Sequence, residues 1–279
     1  GQGVTNPTYA TQEEIYPALL DSLKKAGDLF AEASISALGD GDFLFKGDVN
    51  KWRRFANSLR LRFAVRIADV SSVGVTHIQD VLGNLSKYPI MESNDHNAFL
   101  YWTGTAPYKE PWMEDSESRD DHALGKYLVD YMVSVNDPRL PVYAKPAESD
   151  GMYRGVVPGV EDDDLGSLKE YSRIGARFRD DAMGFTPYMR YSEVLFLIAE
   201  AAHKNYTTYM TASAAYDAAV LASMAENGVD GTAFLAANPF SEQNLYLQKW
   251  VSLFKEGHEA WAVSRRHDVP VMSPAPGTS

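Results

Sequence analysis

The sequence contains no cysteine in its 279 residues. This absence excludes disulfide bonds, thiolate metal sites and a cysteine nucleophile. Positive charge is also scarce, because 26 Lys and Arg residues face 38 Asp and Glu residues and the formal net charge is −12. Nucleic acids and anionic lipid surfaces attract clustered positive charge, so this balance argues against both as partners. No apolar run approaches the length of about 18 residues that a membrane-spanning helix needs.

Common enzyme motifs are missing as well. The sequence has no Gly-x-Ser-x-Gly turn, His-Glu-x-x-His motif, P-loop or dinucleotide fingerprint. The six histidines show no paired ligand spacing, and we predict neither a metal site nor a cofactor. Glu193 and Glu200 are interpreted as ion-pair partners of Arg190 or of arginines in 51–69, rather than as an acid–base pair. The acidic run 161–166 is interpreted as a solvated loop, with a calcium site as the alternative.

Helical periodicity dominates what is present. A composition with 45% hydrophobic residues supplies a sizeable core. Six segments repeat apolar residues every three or four positions, namely 11–33, 51–69, 119–136, 188–204, 211–226 and 242–265. In the first segment the repeating apolar residues are Ile15, Leu19, Leu23, Ala26 and Phe30. Sustained alternation is lacking, and only 152–158 and 174–179 are candidates for a short strand or hairpin.

The predicted helices come in pairs, because 11–33 precedes 51–69 and 188–204 precedes 211–226. This is the spacing of helix–turn–helix repeats such as the tetratricopeptide. Long irregular segments rich in Gly, Pro, Asp and aromatic residues separate the pairs. Loops of that length in a compact domain are usually functional or extensively tied down. We therefore predict a mainly α fold, with tetratricopeptide-like helical hairpins supporting an irregular, loop-rich half.

Residues 51–70 hold six of the basic residues of this acidic chain. Either they form a basic face for an anionic partner, or the arginines of a structural helix are paired inside the protein. The charge balance favours internal pairing, because acidic partners are plentiful. The apolar stripes of the helices also predict that Trp52, Trp250 and Trp261 belong to the core.

The segment 99–115 is rich in aromatic residues set among Gly, Pro and polar residues. Sugars present apolar C–H faces that stack on aromatic rings, and their hydroxyl groups bind polar side chains. The candidate ligand-binding residues are Tyr101, Trp102, Tyr108 and Trp112, with Tyr153 as a weaker candidate from a second loop. The alternative is that these rings fix the loop onto the helical half or against a partner.

Five stretches together resemble a known family. They are residues 52–69, "NDPRL" at 136–140, "YRGVVPG" at 153–159, "PYMRYSEVLFLIAEAA" at 187–202 and "QKWVSLFKEGHEAWAVSRRHDVP" at 248–270. In this order they resemble the motifs of the SusD/RagB-like outer-membrane nutrient-binding lipoproteins. Asp268 and Val269 depart mildly from the family's ending, in which Gly is common before the last Pro.

The resemblance implies a surface-exposed protein of the outer membrane, tethered by a lipid on an N-terminal cysteine. It also implies a SusC-like TonB-dependent transporter as partner and an oligosaccharide or polysaccharide as ligand. Because that cysteine is missing and relatives are generally longer, we expect residues 1–279 to be one partial SusD-like domain without its N-terminal portion and C-terminal tail. Capture of peptides is the alternative ligand class. A hydrolase and a tetratricopeptide-type scaffold are the hypotheses from other classes.

Overall fold

The computed structural model describes residues 8–33, 39–119, 121–274 and 276, without the side chains of Asp40, Asp162 and Asp163. The longer helices are α1 (Gln12–Glu32), α2 (Val49–Ile67), α3 (Ser72–Gly83), α5 (Lys126–Ser134), α9 (Tyr191–His203), α10 (Ala212–Glu226), α12 (Glu242–Ser252) and α13 (Gly257–His267). Shorter helices are α4 (Pro111–Ser116), α6 (Leu140–Tyr143), α7 (Asp162–Leu165), α8 (Ala176–Arg179) and α11 (Thr232–Ala237). The strands are β1 (Ala98–Tyr101), β2 (Ala144–Lys145), β3 (Arg173–Ile174) and β4 (Phe185–Met189).

Paired helices form one half of the protein. Helix α1 packs on α2, α2 packs on α3, and α9 packs on α10. Side-chain caps start the first two helices. Thr11 and Glu14 form a reciprocal capping box at α1, and the Asp48 carboxylate accepts from the Asn50 and Lys51 amides of α2. The prediction of a mainly α fold with tetratricopeptide-like hairpins beside a loop-rich half is confirmed.

Individual helix predictions differ in accuracy. The helices expected in 11–33, 51–69, 188–204 and 211–226 are present with small changes at their ends. The prediction of a single helix in 242–265 is wrong. The helix is interrupted between α12 and α13, where Lys255 adopts a positive φ of 74°. The prediction also missed α3, whose sequence is rich in β-branched residues and glycine, which have low helix propensity.

Two small antiparallel sheets lie in the loop-rich half. Strand β1 pairs with β4, and β2 pairs with β3. The candidate strand segments are only partly strands, because 174–179 begins at the end of β3 and then forms α8. Val156, in the other candidate segment, forms a single bridge with Gly125.

The buried hydrophobic side chains form two clusters. The first joins α2, α3, α9, α10 and α12, and its centre includes Leu61, Ile78, Phe196, Tyr216 and Leu245. The second lies under the irregular segments and includes Phe99, Tyr143, Phe178, Phe185 and Val251. Helix α12 contributes to both clusters, so it ties the loop-rich half to the helical hairpins.

The arginines of the segment 51–70 are paired inside the protein, as predicted. Arg53 donates to the Lys87 carbonyl at 2.6 Å, and Arg54 donates to the Ile90 carbonyl at 2.7 Å. The carboxylate partners of Arg60, Arg62 and Arg66 are Asp80, Glu193 and Glu259 respectively. The segment is therefore a structural helix whose guanidinium groups have internal partners.

The three tryptophans expected in the core behave differently. Trp52 is half-buried, and its indole nitrogen donates to the Asp42 carboxylate at 2.8 Å. Trp250 is half-buried against both hydrophobic clusters. The prediction for Trp261 is wrong, because its side chain is 67% exposed on the outer face of α13.

A buried ionic group joins α2, α9 and the break after α12. The Nε of Arg62 donates to Glu193 at 2.6 Å. Arg190 binds the Glu256 carboxylate and also donates to the Phe254 carbonyl at 2.9 Å. The side chains of Arg62, Glu193, Arg190 and Glu256 are all at most 7% exposed. Such charges are stable in the interior only when each is paired and hydrogen-bonded, so this group fixes the relative positions of three elements.

A second buried group begins at the Asn-Asp-Pro-Arg turn. The Arg139 guanidinium donates to Asp137 at 2.6 Å, to the Ser223 hydroxyl at 2.8 Å and to the Gln248 side chain. The side chains of Asp137 and Arg139 are both 0% exposed. Gln248 in turn donates to the Tyr131 hydroxyl at 2.9 Å. One turn of the loop-rich half is thereby bonded to α5, α10 and α12.

We expect Arg139→Met to lower the free energy of unfolding by about 3–5 kcal/mol, because it leaves the Asp137 carboxylate buried without its partner. Arg154→Met is the matched control, since the pair of Arg154 with Asp150 is 41% and 45% exposed and its loss should cost much less. Denaturant unfolding measures both values. Equal losses in the two variants would contradict a structural role for the buried pair.

The buried ionic group also predicts a pH effect. Burial raises the pKa of Glu256 from 4.5 to about 7, with the neighbouring Glu193 adding to the shift and Arg190 opposing it. Between about pH 4.5 and 7 the folded protein therefore keeps a proton on Glu256 that the unfolded chain has released. The stabilisation that comes from this difference in pKa is fully present below about pH 4.5 and is lost as the pH rises to about 7. Glu256→Gln should remove this part of the pH dependence. Unfolding midpoints from pH 5 to 8 test this, and parallel curves for parent and variant would count against it.

Candidate ligand-binding surface

The sheet of β1 and β4 begins the candidate surface. Tyr101 pairs with Phe185 across the two strands, and its side chain is 63% exposed. Beneath it, the buried rings of Phe99 and Phe185 stack with centroids 4.6 Å apart. Side chains alternate between the two faces of a strand, so Phe99 and Tyr101 share one face. A rigid buried pair of rings thus supports an exposed one.

Trp102 follows β1 directly and is held on two sides. Its backbone amide donates to the Gly184 carbonyl at 3.0 Å, and its indole nitrogen donates to the Thr186 hydroxyl at 2.9 Å. The side chain is half-buried. The bond to Thr186 fixes the orientation of the indole, so Trp102 links the loop to β4 and leaves part of its ring at the surface.

Tyr108 is presented by a tight turn. Its amide donates to the Thr105 carbonyl at 2.7 Å, and its carbonyl accepts from Gly104 at 3.2 Å. Gly104 has a φ of 77°, and a Cβ there would lie 2.6 Å from the Met183 side chain. The turn therefore needs glycine both for its backbone conformation and for close packing. The Tyr108 ring is 62% exposed.

Trp112 has a different position from the two tyrosines. It lies in α4, is half-buried, and meets the Phe254 ring edge-on at a centroid distance of 5.9 Å. The Lys255 ammonium lies 4.9 Å from the Trp112 ring centroid. These contacts match the alternative stated for the loop aromatics, because they pack α4 against the end of α12.

A buried ion pair between Lys255 and Glu110 also holds the start of α4 against the residues that follow α12. The Lys255 ammonium lies 2.8 Å from the Glu110 carboxylate, and these side chains are 4% and 1% exposed. Lys255 also donates to the Phe178 carbonyl at 3.1 Å. Glu110 accepts from the Met113 amide at 2.9 Å and so caps α4. Burial lowers the pKa of Lys255, while the bond to Glu110 opposes that shift.

Tyr153 lies in the second loop and is half-buried against the hydrophobic cluster that also receives Trp112. Its loop passes close to α5, because a Cβ on Gly155 would lie 2.5 Å from Lys126 backbone atoms. Tyr101, Trp102, Tyr108 and Trp112 lie on one segment of the chain, which contacts β4 and the residues that follow α12. Within that segment, Tyr101 and Tyr108 are the most exposed rings.

Two exposed rings outside the predicted set lie on the other face of the sheet. Phe43 is 59% exposed and Tyr188 is 48% exposed. Together with Leu100 they line a groove of about 420 Å³, whose inner wall includes Trp52 and Phe55. The alternation within β4 would have identified Tyr188, but a strand of five residues is too short to stand out in the sequence.

Glu193 and Glu200, the two carboxylates on α9, are both engaged in ion pairs. Glu193 binds Arg62, which confirms the predicted partner. Glu200 is instead held by Lys249 at 2.7 Å and Arg266 at 2.7 Å, from α12 and α13. Although burial opposes ionisation, Lys249 and the neighbouring His267 and Arg266 hold the pKa of Glu200 well below its usual range. Glu200 is therefore a fixed negative charge, and both carboxylates are engaged by cationic side chains.

Among the residues that the structure describes, no three His, Asp or Glu side chains are placed to hold a metal ion together. The calcium alternative for 161–166 depends on Asp162 and Asp163, whose side chains lie outside the described set. Within the described ranges, no helix combines the length and the apolar character needed to cross a membrane.

Solved structures share this fold. A chitin-binding SusD homologue from Flavobacterium johnsoniae is 26% identical, and the match covers 99% of this chain and 64% of that chain with a TM-score of 0.87. A SusD homologue from Bacteroides uniformis is 25% identical, with 97% and 63% coverage and a TM-score of 0.87. One from Bacteroides vulgatus is 25% identical, with 99% and 63% coverage and a TM-score of 0.87. This chain spans less than two thirds of the length of each of these relatives.

Sequence comparison gives the family directly. No curated protein matches this sequence. A family model named SusD-like_2 and described as "Starch-binding associating with outer membrane" matches residues 1–279. Since the model matches the whole sequence and the solved SusD homologues have the same helical architecture, this chain belongs to the SusD-like family.

Proposed function

We propose that these residues form a partial SusD-like domain of a surface-exposed outer-membrane lipoprotein that captures glycans without cleaving them. The glycan is then imported through a SusC-like TonB-dependent transporter. The lipid would be carried by a cysteine outside these 279 residues. The observation that carries the proposal is the pair of exposed rings, Tyr101 and Tyr108, held on a braced loop.

The chemistry of a neutral sugar fits this surface. Such a ligand has no charge to bind, so recognition depends on aromatic faces for its C–H groups and on a few fixed polar groups for its hydroxyls. Tyr101 and Tyr108 offer ring faces and phenolic hydroxyls at once. The bonds of Trp102 and the Glu110–Lys255 pair hold the loop, which limits the conformational entropy lost on binding.

Two further observations support a binding protein rather than a hydrolase. The carboxylates of Glu193 and Glu200 are buried and engaged by arginine and lysine, so neither faces solvent as an acid or base. The named relatives are described as a chitin-binding protein and as SusD homologues, not as hydrolases. Membership of a family described as associating with the outer membrane supports the location.

The test is a ligand panel of starch and chitin oligosaccharides and short peptides, measured by calorimetry, with chromatography of the ligand after long incubation. We expect at least one glycan to bind and to be recovered intact. Binding of peptides alone would replace glycans with the alternative ligand class. Release of shortened sugars, abolished by Glu193→Gln, would show a hydrolase.

The exposed rings give a direct prediction. Tyr101→Ala and Tyr108→Ala should each weaken glycan binding by about 1–3 kcal/mol, because each removes an exposed stacking face. Unfolding should change little, since both side chains are mostly exposed. Tyr209→Ala is the control, because Tyr209 is 50% exposed but lies between α9 and α10. Unchanged affinity in both loop variants would place the site elsewhere, with the groove of Phe43 and Tyr188 as the next candidate.

The buried pair beneath the loop gives a second prediction. Lys255→Met leaves the Glu110 carboxylate unpaired and should increase the mobility of the segment 102–115. We expect the variant to bind glycan more weakly and to be cleaved faster by protease within this segment. Lys109→Met removes a pair with Glu117 from the same loop, but those side chains are 23% and 45% exposed and the effect should be small. Limited proteolysis and calorimetry on both variants measure this. Equal behaviour of the two variants would show that the buried pair does not position the rings.

A further inference from the structure

Three cationic side chains surround the stacked rings of Phe99 and Phe185. The guanidinium carbon of Arg190 lies 5.4 Å from the Phe99 ring centroid, and that of Arg177 lies 5.0 Å from the Phe185 ring centroid. The Lys255 ammonium lies 5.4 Å from the same Phe185 centroid. Cations are attracted to the faces of aromatic rings, so these contacts place positive charge beside the rings that support the candidate ligand surface.

Two of the three cations are buried and paired with carboxylates. The Lys255 side chain is 4% exposed and lies 2.8 Å from the Glu110 carboxylate. The Arg190 side chain is 3% exposed and lies between the carboxylates of Glu226 and Glu256. Both charges are therefore matched inside the protein and neither side chain faces solvent.

Arg177 differs from the two buried cations. Its side chain is 34% exposed, and the carboxylate that it pairs with, Glu226, lies 3.6 Å away. That distance is longer than a hydrogen bond, and Glu226 already accepts from Arg190. Within the part of the chain that the structure describes, the Arg177 guanidinium makes no hydrogen bond. Its N–H donors are therefore available to a ligand.

The short helix α8 holds Arg177 in a fixed position. The amide of Gly175, just before α8, donates to the Tyr143 carbonyl at 2.8 Å, and a Cβ on Gly175 would collide with the Val142 carbonyl. Phe178, the residue after Arg177, is 2% exposed and belongs to the second hydrophobic cluster. A guanidinium carried by such a fixed backbone loses less conformational entropy when it binds a ligand.

Arg177 and Tyr101 lie against the same ring. The Tyr101 ring centroid is 6.1 Å from the Phe185 centroid, and the Arg177 guanidinium carbon is 5.0 Å from it. The exposed ring and the guanidinium are therefore no more than about 11 Å apart. A sugar stacked on Tyr101 can thus present a charged substituent, carried by that sugar or by the next one in the chain, to Arg177.

We propose that the ligand of this surface is an acidic glycan, in which the carboxylate of a uronic acid pairs with Arg177. This inference rests on the proposed glycan-binding function and specifies its ligand class. The planar guanidinium matches the two oxygens of a carboxylate and binds them through two parallel hydrogen bonds. Sugar rings stack on Tyr101 and Tyr108 whether or not they are charged, and Arg177 selects the acidic ones.

The test uses pairs of oligosaccharides that differ only in charge. Fragments of polygalacturonate, alginate and hyaluronan are compared with their carboxyl-reduced forms, in which each carboxylate is replaced by a hydroxymethyl group. Calorimetry is done at physiological salt, where screening limits long-range repulsion from the net charge of −12. We expect at least one acidic fragment to bind on the order of tenfold more tightly than its reduced form, which is the scale of one hydrogen bond to a charged group.

Four variants separate the charge from the ring. Arg177→Met should abolish the preference for the acidic form and leave the affinity for the reduced form unchanged, whereas Arg177→Lys should keep part of the preference. Tyr101→Ala should weaken binding of both forms to a similar extent, because it removes a stacking face. Arg265→Met is the matched control for the loss of one positive charge, since Arg265 is exposed on α13, and it should keep the preference. Melting temperatures establish that each variant is folded, and if Arg177→Met is not, the partial loss in Arg177→Lys decides.

The outcomes distinguish this inference from the proposed function. Equal affinity for acidic and reduced forms, or binding of neutral glycans alone, would overturn the acidic specificity and leave glycan capture intact. A preference that survives in Arg177→Met and in Arg177→Lys would assign recognition of the carboxylate to another residue and overturn the role of Arg177. Failure of all glycans to bind, acidic and neutral alike, would contradict the proposed function and this inference together.

Discussion

Pairing of buried arginines with carboxylates is the constraint on which the rest of this structure depends. A guanidinium in the protein interior is tolerated only when its charge is matched and its donors are satisfied. The charges of Arg62, Arg139 and Arg190 are matched by Glu193, Asp137 and Glu226. Arg139 also donates to Gln248 in α12, and Arg190 donates to the Phe254 carbonyl that follows that helix. Because each geometry is specific, the helices and the irregular segments are held in one relative arrangement.

These buried polar contacts explain how the long irregular segments are held in place. The Asn-Asp-Pro-Arg turn is bonded to α10 and α12 through Ser223 and Gln248, and the aromatic segment is anchored at Glu110 by Lys255. Both anchors meet α12 or the residues that follow it. The exposed rings are thus displayed by a segment that has little backbone structure of its own but several buried attachments.

The sequence predicted the repeated helical pattern and the internal pairing of the arginines, because both follow from apolar periodicity and charge balance. It did not predict the break at Lys255, since a positive φ at a non-glycine residue depends on tertiary contacts. It also placed Trp261 in the core, because periodicity finds an apolar face but not whether that face is covered. For the candidate site, the sequence located the loop but not which rings are exposed. That distinction depends on contacts such as those of Trp112 with Phe254 and Lys255.

Buried residues of the motifs that mark the family therefore have a structural role, separate from the proposed ligand surface. Arg62, Arg139, Arg190 and Gln248 lie within those motifs and are buried, whereas Tyr101 and Tyr108 lie outside them and are exposed. The most direct test of this division is a crystal structure of the protein with a bound oligosaccharide from the ligand panel. We predict sugar rings stacked on Tyr101 or Tyr108 with the buried ion pairs unchanged. A sugar that contacts neither tyrosine, or one whose binding rearranges the Arg62 and Arg190 pairs, would contradict it.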